Sequence, residues 1–129
     1  MNFRNRKFVR TIQILFGLYL VFFGLIRYFV SLPTPQYNEA AIAFSGALFN
    51  TGYIFHVIAI IFVLSGLMFI FDKWSAFGAV LLAPVTVNIA FFHIFLDIKG
   101  WWPALILIIL NIYLGIVHWP RYKLVFSGQ

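Results

Sequence analysis

Five side chains in this sequence combine reactive type with suggestive placement: Arg27, Glu39, His56, His93 and Asp97. His93 and Asp97 stand four residues apart, so on a helix they are neighbours. A carboxylate beside an imidazole can orient it for proton transfer, or for a hydrogen bond to a quinone headgroup. His56 and His93, placed at equal depth on facing helices, would offer two ring nitrogens to a haem iron or another metal. Such a pair is permissive rather than diagnostic, and interhelical hydrogen bonding is its simpler use. Arg27 beside Glu39 or Asp97 makes a substrate-binding pair, an ion pair locking one helix to another, or an arginine snorkelling to headgroups. The chain has no Cys, which removes thiolate metal sites, iron–sulfur ligation and disulfide relays. There is no phosphate loop, no nucleophile with its base and no two-carboxylate acid–base site.

These few polar groups stand out because the remainder is so apolar. In 129 residues, 64% are hydrophobic, 21% aromatic and 9% charged, with a mean hydropathy of +1.00. A soluble domain is about half apolar and about a quarter charged. A chain this short has too much surface to hide so many Phe, Leu and Ile side chains from water. It reads as one membrane domain. The formal charge of +6 would suggest nucleic acid as a partner in a soluble protein. Here the basic residues cluster at chain ends and helix ends, where they orient spans, so the lipid bilayer is the expected partner and nucleic acid is not.

Four spans are expected, over about 11–30, 53–71, 76–97 and 102–119, with a short interfacial helix over about 39–50. Arg4, Arg6, Lys7 and Arg10 ahead of the first apolar run resemble a signal peptide. The run is too long for an h-region and no small-residue cleavage motif follows it, so a retained span is expected. Ser31, Pro33 and Pro35 should stop that span. Asn38 can cap the short helix, with Glu39 in its first turn. Pro84 falls inside the third span, Pro103 in the first turn of the fourth, and Pro120 ends the fourth. Seven basic residues (Arg4, Arg6, Lys7, Arg10, Lys73, Arg121, Lys123) fall on one side against Arg27 and Lys99 on the other. That bias predicts both termini in the cytoplasm of a bacterial-type inner membrane, with the short helix and the Trp101–Trp102 turn outside.

Small residues mark the faces that should pack. Gly17 and Gly24 share a face with Gln13 in the first span, and Gly52, Ala59, Val63 and Gly66 form a stripe holding His56 in the second. Ala76, Ala79, Ala83 and Ala90 line the third, with His93 and Asp97 at the flank, and Asn111, Gly115 and His118 align in the fourth. Arg27, Glu39, His56, His93 and Asp97 then converge in the outer third of an up-and-down four-helix bundle. Ionisable groups at membrane depth are costly and usually paired or functional. Asn111 and His118 lie deeper or on the inner side, outside that group.

The chain resembles the DoxX-like family of small four-span membrane proteins. The resemblance rests on the first-span run from Gly17 through Gly24 to Arg27-Tyr28-Phe29 and on Thr51-Gly52-Tyr53. It continues through Ser65-Gly66-Leu67, Leu81-Leu82-Ala83-Pro84, Asn88 and Phe92-His93-Ile94-Phe95-Leu96, covering about residues 10–125. It implies an up-and-down bundle with cytoplasmic termini. Some members are associated with quinone-linked sulfur oxidation or redox-stress complexes, so it also implies an accessory or quinone-interacting subunit of a membrane redox complex. The rival expectation is a non-catalytic protein, alone or as a homo-oligomer, that binds a lipid-like small molecule or stabilises a partner. Stand-alone enzyme activity is not expected.

Overall fold

The computed structural model describes residues 5–29 and 38–126, without the side chains of Arg27 and residues 124–126. The expected stop at Ser31, Pro33 and Pro35 lies outside the described residues. The described elements are helices α1 (Arg6–Phe29), α2 (Glu39–Asn50), α3 (Ile54–Ile70), α4 (Ser75–Phe95), α5 (Trp101–Val117) and α6 (Trp119–Phe126). A single 3₁₀ turn, Ile98–Gly100, joins α4 to α5. Among the described residues there is no strand, and the fold is all-α.

Local chemistry explains most of the boundaries. Asn38 caps α2 as its sequence position suggests, its Oδ1 accepting the Ala41 N–H at 2.8 Å, and its Nδ2 donates to the Leu96 carbonyl. The α3–α4 connection is tight enough to force Asp72 (φ 52°) and Trp74 (φ 61°) into the left-handed region. Lys73 N–H bonds back to the Met68 carbonyl there. Helix α6 follows the expected end of the fourth span at Pro120. Pro120 lies in the first turn of this new helix, and the Tyr122 hydroxyl ties that helix to the Ala76 carbonyl of α4.

Helices α1 and α3 run antiparallel in close contact from Gln13 to Tyr28 of α1. Gln13 meets Phe69, Gly17 meets Gly66, Gly24 meets Ala59 and Tyr28 meets His56. At the tightest point a Cβ added to Gly17 would sit 2.6 Å from the Gly66 carbonyl oxygen, and one on Gly66 would sit 2.7 Å from that of Gly17. Both positions need glycine because backbone meets backbone. Helix α4 folds back on α3, where the Ser65 hydroxyl donates to the Gly78 carbonyl, and α5 folds back on α4. Between them Thr86 donates to Asn111 Oδ1 at 2.7 Å, and Asn111 donates to the Ala79 carbonyl at 3.1 Å. Phe16, Leu20, Phe69, Leu82, Leu107 and Leu114 fill the core, with Phe16 and Phe69 stacked 5.6 Å apart.

Many large apolar side chains lie on the surface. Phe29, Phe49, Phe71 and Phe95 are each exposed by about two-thirds or more. A soluble monomer does not carry a large apolar surface of this kind. Three stretches, Arg6–Ile26, Ser75–Phe95 and Ile98–Val117, are long and apolar enough to cross a membrane. A fourth is counted if α2 and α3, bent by 85° at their junction, form one broken span. Alone, the 17 residues of α3 cover about 25 Å, slightly under a hydrocarbon core of about 30 Å.

Candidate functional site

The five sequence-selected residues fall into separate places at one end of the bundle. Arg27 lies on α1, but its side chain is outside the described residues. Glu39 is exposed in the first turn of α2, with no ion-pair partner among the described residues. His56 is exposed near the start of α3, its Nδ1 2.6 Å from the Tyr28 hydroxyl and its ring stacked on that tyrosine. His93 and Asp97 do come together, with Nδ1 3.4 Å from Oδ2 and 3.2 Å from the Asp97 carbonyl oxygen. Asp97 has already left the helix, so the contact is made by the chain turning over the end of α4. No contact joins His56 to His93 among the described residues, and no group of three or more metal-binding side chains occurs among them.

The partners of His93 fix its tautomer. Both atoms facing Nδ1 are acceptors, so Nδ1 carries the proton and the neutral ring presents Nε2 as an acceptor. A neutral His93 therefore receives a hydrogen bond from a hydroxyl, and must be protonated before Nε2 can donate to a carbonyl. Gly100 closes over the pair. A Cβ there would come within 2.8 Å of both Asp97 Oδ2 and His93 Cε1.

An apolar groove of about 400 Å³ lies between α4 and α5. Ala79, Ala83 and Ala90 form one wall, and Ile108, Ile112 and Gly115 form the other. His93, three residues beyond Ala90 on α4, lies at the flank of that wall and does not itself line the groove. Thr86 and Asn111 lie at the groove floor, already bonded to each other.

The densest polar network is at the opposite end, and the outer-cluster reading passed over it. Gln13, only 1% exposed, donates through Nε2 to Asp72 Oδ1 at 3.0 Å and to Ser75 Oγ at 3.2 Å. Its Oε1 lies 2.7 Å from His118 Nε2. Because Oε1 can only accept, the His118 proton is on Nε2. Ser75 donates in turn to Asp72 Oδ1 at 2.9 Å. Arg10 donates to the Phe69 and Ile70 carbonyls, satisfying two acceptors at the C-terminus of α3. One amide thus joins α1, the α3–α4 turn and the end of α5.

Burial pushes the Asp72 carboxyl up. The hydrogen bonds from Gln13 and Ser75, with the charges of Arg10 and His118, outweigh it and hold the group below the usual carboxylate value. Burial pushes His118 down, Arg121 adds to that, and Asp72 opposes it, so the imidazole titrates below its ordinary value. A polar cleft of about 1250 Å³ opens on this network, with Arg6, Lys7 and Arg121 at its rim. Gln13 and His118 were visible in the sequence as members of small-residue faces. Their shared depth on the inner side is the sequence signal that joins them.

Comparison with known proteins gives no match: neither a family model, nor a curated protein, nor a solved structure is similar to this chain. What the fold and surface define is the class, an all-α protein with several helices fit to lie in a membrane.

Proposed function

We propose that this chain is a multi-pass, bacterial-type inner-membrane protein that binds a quinone-type amphiphile and serves as an accessory subunit of a membrane redox complex, as the DoxX-like resemblance implies. In this reading α1, α3, α4 and α5 are four spans with both termini cytoplasmic. The observation that carries it is the apolar groove between α4 and α5, with His93 of the His93–Asp97 pair lying on α4 one turn beyond the groove residue Ala90. An isoprenoid tail fits a groove walled by Ala79, Ala83, Ala90 and Ile112. The headgroup would meet an imidazole whose proton faces Asp97, so neutral His93 accepts from a quinol hydroxyl. A bound quinone would supply the redox chemistry; the chain's own groups orient and hold a proton.

One observation favours the rival reading, a non-catalytic protein holding a lipid-like molecule. Thr86 and Asn111 satisfy each other, so nothing on the groove floor demands a particular headgroup. Purification in mild detergent, followed by solvent extraction and chromatography, separates the two. The quinone reading expects near-stoichiometric quinone, reduced at least fivefold in Ala83→Leu and in His93→Ala. Phospholipid in its place, lost in Ala83→Leu but retained in His93→Ala, would transfer the proposal to the lipid-binding reading. If extracted material is the same in all three proteins, the groove is not a binding site.

A further inference from the structure

The cleft at the Gln13 end has a charge balance that the proposed quinone site leaves unused. Four basic side chains line it, Arg6, Lys7, Arg10 and Arg121, against the single acid Asp72. Two of those five charges are committed. Arg10 is spent on the Phe69 and Ile70 carbonyls, and Asp72 accepts from Gln13 and Ser75. Arg6, Lys7 and Arg121 have no ion-pair partner among the described residues, and all three are exposed. They converge from two elements, the first turn of α1 and the first turn of α6.

The floor between them is built rather than accidental. Gln13 is buried, His118 is half-buried, and the hydrogen bond between them holds both in place. The positive end of the α1 dipole points into the same cleft, since Asn5, just ahead of the helix, and Arg6 and Lys7 of its first turn line it. Guanidinium groups bind phosphate oxygens in a bidentate manner, and an ammonium adds a point charge. The cleft also sits at the ends of α1 and α5, the level at which lipid headgroups would lie against membrane-crossing helices.

We infer that this cleft is a binding site for a phosphate-type anion, held by Arg6, Lys7 and Arg121 over the Gln13–His118 floor. The chemistry is shared by an anionic phospholipid headgroup and by soluble phosphate. The site stands independently of the quinone reading, because it uses none of the groove residues and neither His93 nor Asp97.

The test uses the full chain in neutral detergent micelles, titrated with phosphatidylglycerol, phosphatidylcholine or inorganic phosphate and read by native mass spectrometry. Phosphatidylglycerol should bind at least tenfold more tightly than phosphatidylcholine. Each of Arg6→Ala, Lys7→Ala and Arg121→Ala should weaken it roughly fivefold. Lys73→Ala, an exposed cation on the α3–α4 turn that does not line the cleft, should leave it unchanged. Melting curves of the single variants at pH 7.5 should match the parent, since no side chain of the three rim cations hydrogen-bonds to the Gln13 network. Displacement of the lipid by millimolar phosphate identifies the soluble anion as sufficient. Failure to displace it, with phosphatidylglycerol still bound, identifies the headgroup. Equal losses in Lys73→Ala and Arg121→Ala would reduce the effect to general charge and overturn the site, as would unchanged binding in all three rim variants.

Discussion

At the scale of residues, Gln13 ties together more elements through its polar atoms than any other side chain among the described residues. Its amide donates to Asp72 and Ser75 while its carbonyl accepts from His118, so no other common side chain can replace it. Gln13→Leu leaves the His118 N–H without its acceptor in a half-buried setting, a loss of about 2 kcal/mol. Asn111→Leu should cost less, about 1 kcal/mol, because interhelical hydrogen bonds inside membranes are individually weak. Denaturant titration in detergent checks the order, and a larger loss from Asn111→Leu would remove Gln13 from its central position. His118 adds a pH dependence. Its folded pKa lies below the unfolded value of about 6.5, so between the two values the unfolded chain binds the extra proton. Stability must therefore fall as pH drops through about 6.5 toward the folded value. Asp72 adds a second loss in the same direction, beginning only as pH falls through the ordinary carboxylate range. Melting temperature should decline from pH 7.5 to 5.5 in the parent and stay flat over that range in His118→Gln, whose amide can still donate to Gln13. A parallel decline in both proteins would exclude His118 as the source.

At the scale of elements, the contrast among glycines decides which interfaces are tight. Gly17 and Gly66 bring the α1 and α3 backbones together, whereas a Cβ on Gly115 would meet nothing within 4 Å. Gly66→Val should push the helices apart and cost about 2–3 kcal/mol or prevent folding. Gly115→Ala should be neutral or stabilise α5 by up to about 1 kcal/mol through helix propensity. Thermal melts of the two variants measure the difference, and equal effects would argue against close α1–α3 packing. This interface was legible in the sequence, since Gly17 and Gly66 each lie in a small-residue stripe at helical spacing. The Asn38 cap was legible for a similar reason, a local rule with a local partner. The polar sites were less so. His93 and Asp97 meet as their spacing suggests, but through a chain reversal that takes Asp97 out of the helix. His56 instead meets Tyr28, whose phenol carried no signal among so many aromatics. Periodicity assigns a residue to a face of its own helix; it does not say which residue of another helix arrives opposite.

At the scale of the whole molecule, the network around Gln13 bears on how the chain would sit in a bilayer. It joins the beginning of α1, the turn between α3 and α4, and the end of α5 at one end of the bundle. At the other end Tyr28 of α1 meets His56 at the start of α3, so the 17 residues of α3 run beside α1 from Gln13 to Tyr28. If α2 and α3 instead formed a re-entrant loop, Lys73 would emerge on the side opposite the N-terminus, and the Gln13–Asp72 bond would have to span the membrane. The 3.0 Å bond between Gln13 and Asp72 therefore fits the proposed four-span reading. The charge distribution agrees, because Arg6, Lys7, Arg10, Lys73 and Arg121 gather where these ends meet, and Lys99 lies beyond α4. The absence of native cysteine makes the arrangement directly measurable. Single cysteines at Lys73 and Lys123 should react with a membrane-impermeant maleimide only after cells are opened. Cysteines at Gly46 and Lys99 should react in intact cells. A three-span arrangement with a cytoplasmic N-terminus reverses the result at Lys73, Lys99 and Lys123 together. That coordinated reversal would defeat both the four-span reading and the shared cytoplasmic location of the two termini.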